Sequence, residues 1–166
     1  MPLQAEGEFA LVKEKLEQAL ALSGQPVKRG TMAHKHIVYM MLADSAAQLR
    51  DEAGLMKYAS LLEKLAVQDD HQPYLAVAHR AWGIACRLAG DYAEAETRLK
   101  QALDLFGTME ARWQTGRTLY ELADLKLVQS DLVGARDYYM RALTEFEALQ
   151  ATLDFERTKA AIETLG

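Results

Sequence analysis

The sequence predicts an all-α chain of antiparallel helix pairs stacked as a solenoid, about eight helices in all, and three observations predict it. First, a helix, a tight turn and a second helix run from Ala81 to Leu103, turning at Gly90-Asp91-Tyr92 and continuing with Ala95, Leu99, Ala102 and Leu103 on one apolar stripe. Gly90 supplies a turn conformation that a residue with Cβ resists, and Asp91 is suited to cap the next helix. Second, a step of 40 residues reproduces the unit as Ser130-Asp131-Leu132 followed by Ala135, Tyr139, Ala142 and Leu143. Third, small residues recur at matching points, Gly83 with Ala123, Ala95 with Ala135 and Ala102 with Ala142, where two helices must approach closely.

The elements follow in order within one domain, 1–166. Over 5–23, Phe9, Val12, Leu16, Ala19 and Leu20 share one helical stripe, which Ser23-Gly24-Gln25-Pro26 ends. Gly7-Glu8-Phe9 with Val12, Leu16, Ala19 and Leu20 copies Gly90-Asp91-Tyr92 with Ala95, Leu99, Ala102 and Leu103. This element therefore reads as the second helix of a repeat whose first helix is missing, either because the chain is a segment of a longer protein or because the element serves as a cap. After a loop containing Gly24, Pro26 and Gly30, a degenerate repeat spans 31–69, with helices over 31–49 and 51–68. With Gly54 set against Gly134, Leu55 and Leu62 take the places of Ala135 and Ala142. Their bulk should splay the pair or shift its register, and a four-residue slip would restore Ala59 and Ala66. Asp69-Asp70-His71-Gln72-Pro73 breaks the chain, and Pro73 suits a first helical turn. Repeats then span 73–107 (helices 73–89 and 91–106) and 108–150 (helices 108–129 and 131–150). Leu153, Ile162 and Leu165, set among charges over 152–165, read as a capping helix.

Composition excludes several classes. A net charge of −5 and a pI near 5.4, without any run of Lys and Arg, exclude electrostatic binding of nucleic acid or an anionic membrane. The longest apolar run, Ile37 to Ala43, falls short of the roughly 20 residues a membrane span needs. Met1-Pro2-Leu3-Gln4-Ala5-Glu6 has neither a basic leader nor an apolar signal core. A single cysteine, Cys86, leaves no internal disulfide, so a reducing cytoplasm is the expected compartment.

Catalytic and metal-ligating patterns are not present. His34 and His36 point roughly 160° apart on a helix, and His71 and His79 lie about 12 Å apart along its axis, so neither pair has the spacing of a helical zinc site. They read as surface or groove histidines. His79 and Cys86 share a face at about 10 Å, too far for a nucleophile and its base. Cys86 reads as a small core residue. No glycine-rich phosphate loop or G-x-S-x-G turn occurs, and Glu14, Glu17, Glu94 and Glu96 belong to polar helix faces. No enzyme, metal or cofactor is expected.

The repeating unit resembles the tetratricopeptide repeat, with the glycine and alanines of its pattern kept, His79 and Leu119 in place of the tryptophan, and Gly107 and Glu147 in place of the closing proline. The 40-residue period and the tail from Glu145 to Glu163 are similar to the repeats of bacterial signalling ATPases, maltose-activator-type transcriptional activators and cyclases. In those proteins the repeats form a sensor or interaction arm. The resemblance implies a right-handed solenoid with a concave groove lined by the first helix of each pair. On the helix from Pro73, Ala78, Trp82, Ala85 and Ala89 then face the core while Val77, Arg80, Ile84 and Arg87 face the groove. Steps of 40 place Ile37, Met40, Asp44 and Ala47 on one side and Arg117, Tyr120, Asp124 and Leu127 on the other, with Trp113 one turn before Arg117. Arg, Tyr and Trp are enriched at binding hot spots. The competing reading pairs Arg80 and Arg87 with Asp44 and Asp124 across neighbouring helices.

Some tetratricopeptide domains clamp a peptide C-terminus with asparagine and lysine. This sequence has no asparagine and sets Met40, Asp44, Ile84 and Asp124 along the stripes, which argues against that specificity. The expected function is a non-catalytic module holding a peptide or protein in the groove, and the alternative is a ligand-sensing or regulatory segment of a larger bacterial protein. Leu3, Leu11 and Val12, on an end without a preceding helix, predict a weak homodimer.

Overall fold

From the helix Met32–Gln48 onward, one kind of turn joins every helix to the next. In the computed structural model, which describes residues 2–22 and 32–166 and the side chains of 8–21 and 35–166, these turns put a left-handed residue at Arg50, Asp70, Gly90, Glu110, Ser130 and Gln150. The recurrence is every 20 residues, and Gly90 is the one glycine among the six. In each turn the next residue closes a six-residue backbone ring, as Asp91 N–H does on the Cys86 carbonyl at 2.9 Å and Asp131 N–H on the Lys126 carbonyl at 2.9 Å. This is the Schellman arrangement, which satisfies the orphan carbonyls of a helix end. The same residue is the N-cap of the following helix. Asp51, Asp91 and Asp131 accept from the backbone N–H of Gly54, Glu94 and Gly134 at 2.9, 3.2 and 2.9 Å, and His71 accepts from Tyr74 at 3.4 Å. Three residues thus end one helix and begin the next, which forces neighbours to run antiparallel.

The described residues form eight helices and no strand: α1 (Pro2–Leu22), α2 (Met32–Gln48), α3 (Glu52–Gln68), α4 (Gln72–Ala89), α5 (Tyr92–Thr108), α6 (Arg112–Val128), α7 (Leu132–Ala148) and α8 (Thr152–Glu163). The expected loop at Ser23-Gly24-Gln25-Pro26, with Gly30 and Thr31, lies outside the described residues. One helix boundary moves: α5 runs through Gly107 and Thr108, so the following helix begins at Arg112 instead of 108. The reason is the 20-residue turn spacing, which a non-glycine residue, Glu110, maintains at φ 53°.

Each helix packs on the next in sequence, and α2, α4 and α6 also touch one another, so the chain is a solenoid of helix pairs with these helices on one layer. Small residues mark the closest approaches. A Cβ on Gly83 would stand 2.5 Å from Leu99 Cγ, and one on Gly116 would stand 2.7 Å from the Phe146 ring. Ala95, Ala102, Ala135 and Ala142 are fully buried beside them. The α2–α3 pair resolves the expectation about Leu55 and Leu62. Gly54 keeps the cap and register of Gly134, no four-residue slip occurs, and Leu55, Ala59 and Leu62 are all fully buried. The pair packs less extensively than α4–α5 or α6–α7, as larger residues at the approach require.

Candidate functional site

α2, α4 and α6 bring the three predicted columns side by side, but the middle column is covered. Val77, Arg80 and Ile84 are 4, 2 and 5% exposed, which corrects the expectation that they form open groove surface. The cover is a side-chain bridge: α4 packs between α2 and α6, and Arg117 on α6 donates two hydrogen bonds to Asp44 on α2, at 3.2 and 3.1 Å.

Beneath that bridge the Arg80 guanidinium is buried, lies 5.4 Å from the Phe106 ring centre and donates through Nη1 to Gln114 Oε1 at 2.5 Å. Its Nη2 has no hydrogen-bond acceptor and lies 3.7 Å from Asp44 Oδ1. Burial and the neighbouring Arg117 charge push its pKa down to about 10, with Asp44 and Glu121 opposing. Arg87, one turn beyond Ile84, meets Glu121 and Asp124 at 2.9 Å each, and Tyr139 donates to Asp124 at 2.5 Å. Burial raises the Glu121 pKa while Arg87 works against the rise. The pairing reading of Arg80 and Arg87 is therefore the geometry found, with Glu121 and Gln114 as added partners. Met40 packs against the cluster of Leu62, Val77 and Phe106. Trp113 is 44% exposed, carries Arg117 over its ring at 4.8 Å and donates to Asp154 Oδ2 at 2.8 Å. Tyr120 meets the Tyr139 ring edge-on at 5.1 Å and lies under Arg157 at 4.2 Å.

Toward the C-terminal ends of α2, α4 and α6 the channel opens into a cavity of about 890 Å³. Ala47, Ile84, Leu88, Leu127 and Val128 supply its apolar lining, and Arg50, Arg87, Glu121, Asp124 and Arg157 its charges. Of the predicted residues, Ile84, Arg87 and Asp124 line this cavity. Arg117 and Tyr120 line a neighbouring crevice with Gln48, Asp154 and Arg157. Met40, Asp44, Val77, Arg80 and Trp113 line neither. Sequence reasoning missed Arg50, Leu88, Val128 and Arg157. Continuing the columns by one helical turn, from Asp44, Ile84 and Asp124 to Gln48, Leu88 and Val128, would have found two of them.

Trp82, expected in the core, is only partly buried. Its Nε1 donates to Glu63 at 2.9 Å and Arg98 lies over its ring at 5.8 Å, because an indole N–H needs an acceptor that the apolar interior lacks. Ala89, assigned to the same stripe, is exposed at the helix end. His36 is buried and stacks on Tyr74 at 4.7 Å and His71 at 5.6 Å, so it is not the surface histidine expected. The His34 side chain lies outside the described residues. His79 faces Arg98 at 3.1 Å, and burial followed by the Arg98 charge lowers its pKa. Cys86 is partly buried beside Ala95 and Leu99, and burial followed by Glu94 and Asp91 raises its thiol pKa. Among the described residues no group of three His, Cys, Asp or Glu could share a metal ion, and no helix is long and apolar enough to cross a membrane.

No family model matches the chain, and no curated protein matches it. Among solved structures, the chain is similar to BtubC (BKLC) from P. vanneervenii, with 16% sequence identity, 98% of this chain and 73% of that chain covered, and a TM-score of 0.66. That likeness is one of fold: both are all-helical chains, and the one described here is a solenoid of antiparallel helix pairs.

Proposed function

We propose that the chain is a non-catalytic, tetratricopeptide-like interaction module that holds a peptide or protein segment in the cavity bounded by α2, α4, α6 and α8. One observation carries the reading: a cavity of about 890 Å³ in which Ala47, Leu88, Leu127 and Val128 stand among the charges of Arg50, Arg87, Glu121, Asp124 and Arg157. Concave sites that combine apolar side chains with placed polar groups are where proteins take up ligands. Arg80 and Arg117 contribute by linking α4 and α6 to Asp44 on α2, and Arg87 fixes Glu121 and Asp124 in the cavity wall. The ligand-sensing or regulatory alternative calls for a lining rich in aromatics and donors; Gln48, Arg50, Arg87 and Arg157 supply donors, but among the described residues Tyr92 is the one aromatic side chain there. Cys86, the single cysteine, fits a reducing, cytoplasmic setting. The exposed Leu11 and Val12 support weak self-association through α1.

Selection of peptides from a random display library tests the proposal. Selected peptides should bind the native chain and lose at least about tenfold affinity with Leu88→Glu or Val128→Glu, which place a charge among the apolar side chains of the cavity. Val133→Glu on the outer helix α7 should change nothing. Peptides that bind all three variants equally would move the site elsewhere.

A further inference from the structure

Charges lining the cavity do not cancel. Three arginines, Arg50, Arg87 and Arg157, face two carboxylates, Glu121 and Asp124. Both carboxylates are engaged by Arg87 at 2.9 Å. Among the described residues, neither Arg50 nor Arg157 has a carboxylate within ion-pair distance. Both are exposed, Arg50 in the α2–α3 turn and Arg157 on α8, so they come from opposite ends of the chain to one cavity. Arg157 lies over Tyr120 with 4.2 Å between the guanidinium carbon and the ring centre, and it also hydrogen-bonds the Tyr120 hydroxyl. Together these contacts order the guanidinium and leave its remaining N–H groups to bind a carboxylate.

We infer that the occupant of this cavity is an acidic peptide segment, with apolar side chains on Leu88, Leu127 and Val128 and carboxylates on Arg50 and Arg157. The inference rests on the proposed function and names the chemistry of its ligand. Chain-wide charge works the other way, since the net charge is −5, so the two unpaired arginines are a local exception on an acidic surface. The C-terminal ends of α2, α4 and α6 open on the same side and oppose an anion. That opposition is blunted because the carbonyls of Ala46, Cys86 and Lys126 already accept the N–H groups of Asp51, Asp91 and Asp131.

Three fluorescein-labelled peptides test this: Glu-Glu-Leu-Leu-Glu-Glu, the same peptide with Gln for Glu, and the same with Lys. By anisotropy the acidic peptide should bind about tenfold or more tightly than the Gln peptide, and the difference should shrink with salt. Arg50→Gln and Arg157→Gln should each reduce that preference, and Arg50→Glu with Arg157→Glu should turn it toward the Lys peptide. Lys64→Glu, an exposed charge reversal on α3, should leave it intact. Equal affinity for the acidic and Gln peptides, no binding of the acidic peptide, or an unchanged preference in the double variant would overturn the inference. Charge-independent binding that Leu88→Glu still abolishes would overturn it while leaving the cavity as the interaction site.

Discussion

Asp44 and Arg117 stand 73 positions apart and exchange two hydrogen bonds, of 3.2 and 3.1 Å, that tie α2 to α6 over α4. Asp44 is also the nearest carboxylate to Arg80, at 3.7 Å. Removing either partner of the bridge therefore has different consequences. Arg117→Ala takes away a partly exposed charge and should cost about 1 kcal/mol or less. Asp44→Ala strips the buried Arg80 of its counter-charge and should cost about 2–4 kcal/mol. Arg80→Met replaces a guanidinium whose Nη2 lacks an acceptor with an apolar chain of similar length, and should be neutral or stabilising. Urea unfolding of the three variants checks the order; a larger loss for Arg80→Met than for Asp44→Ala would contradict it.

Three substitutions to larger residues should part company. Gly83→Ala sets a Cβ 2.5 Å from Leu99 Cγ and 3.2 Å from the Ala95 carbonyl oxygen, so α4 and α5 must separate, at a cost of about 1–3 kcal/mol. Ala102→Leu should cost a similar amount, since Ala102 is fully buried between helices. Gly107→Ala, inside α5 with nothing within 4 Å, should instead stabilise by about 0.5–1 kcal/mol through helix propensity. Melting temperatures that move the same way for Gly83→Ala and Gly107→Ala would refute the close approach proposed for α4 and α5.

The fold was legible because its repeat is written in local chemistry: Gly90, the capping Asp91 and Asp131, and alanines at fixed offsets all act within one helix pair. The finer 20-residue spacing was hidden, since Arg50, Asp70, Glu110, Ser130 and Gln150 adopt a left-handed conformation that their residue types do not announce. Leu55 left two outcomes open, a splayed pair or a slip, and the structure decides between them: the Asp51 cap on Gly54 holds the register and the pair packs more loosely. The site was legible as columns and not as exposure. Whether Arg80 is open or buried depends on contacts between helices distant in the chain, such as Arg117 with Asp44, 73 positions apart. Arg50 and Arg157 escaped notice because one sits in a turn and the other on a helix that read as a cap.

Acid should loosen the attachment of α1. Lys13 on α1 pairs with Asp51, whose carboxyl is held below its ordinary 3.8 by that hydrogen bond and by the Gly54 N–H. A carboxylate with a lowered pKa in the folded state stabilises the chain above its unfolded value and loses that contribution as pH falls below it. Glu96, held down by Lys100 and Lys126, adds a loss in the same range. Both groups are partly exposed, so each contribution is about 1 kcal/mol or less. Asp51→Asn keeps a capping oxygen and removes the charge, so it should lower stability at pH 6 and flatten the decline between pH values of about 5 and 3. Urea midpoints across that range check it; a decline as steep as in the native chain would assign the acid sensitivity to other carboxylates.

On α1, Lys13 reaches Asp51 and Glu17 accepts from the Tyr58 hydroxyl, two polar contacts that tie it to α3. On the helix, Leu11 is 54% and Val12 is 38% exposed, while the side chain of Leu3 lies outside the described residues. Val12 stands in register with Ala95 and Ala135, both fully buried where another helix packs, and its own position has no such neighbour among the described residues. A second copy of the chain meeting α1 would cover Leu11 and Val12 together, and this apolar area is small enough that the association should be weak. Light scattering over a hundredfold range of concentration should show the mass rising at the upper end, and Leu11→Glu should hold it at that of one chain. A constant monomer mass in the native chain, unaltered by Leu11→Glu, would rule out self-association through α1.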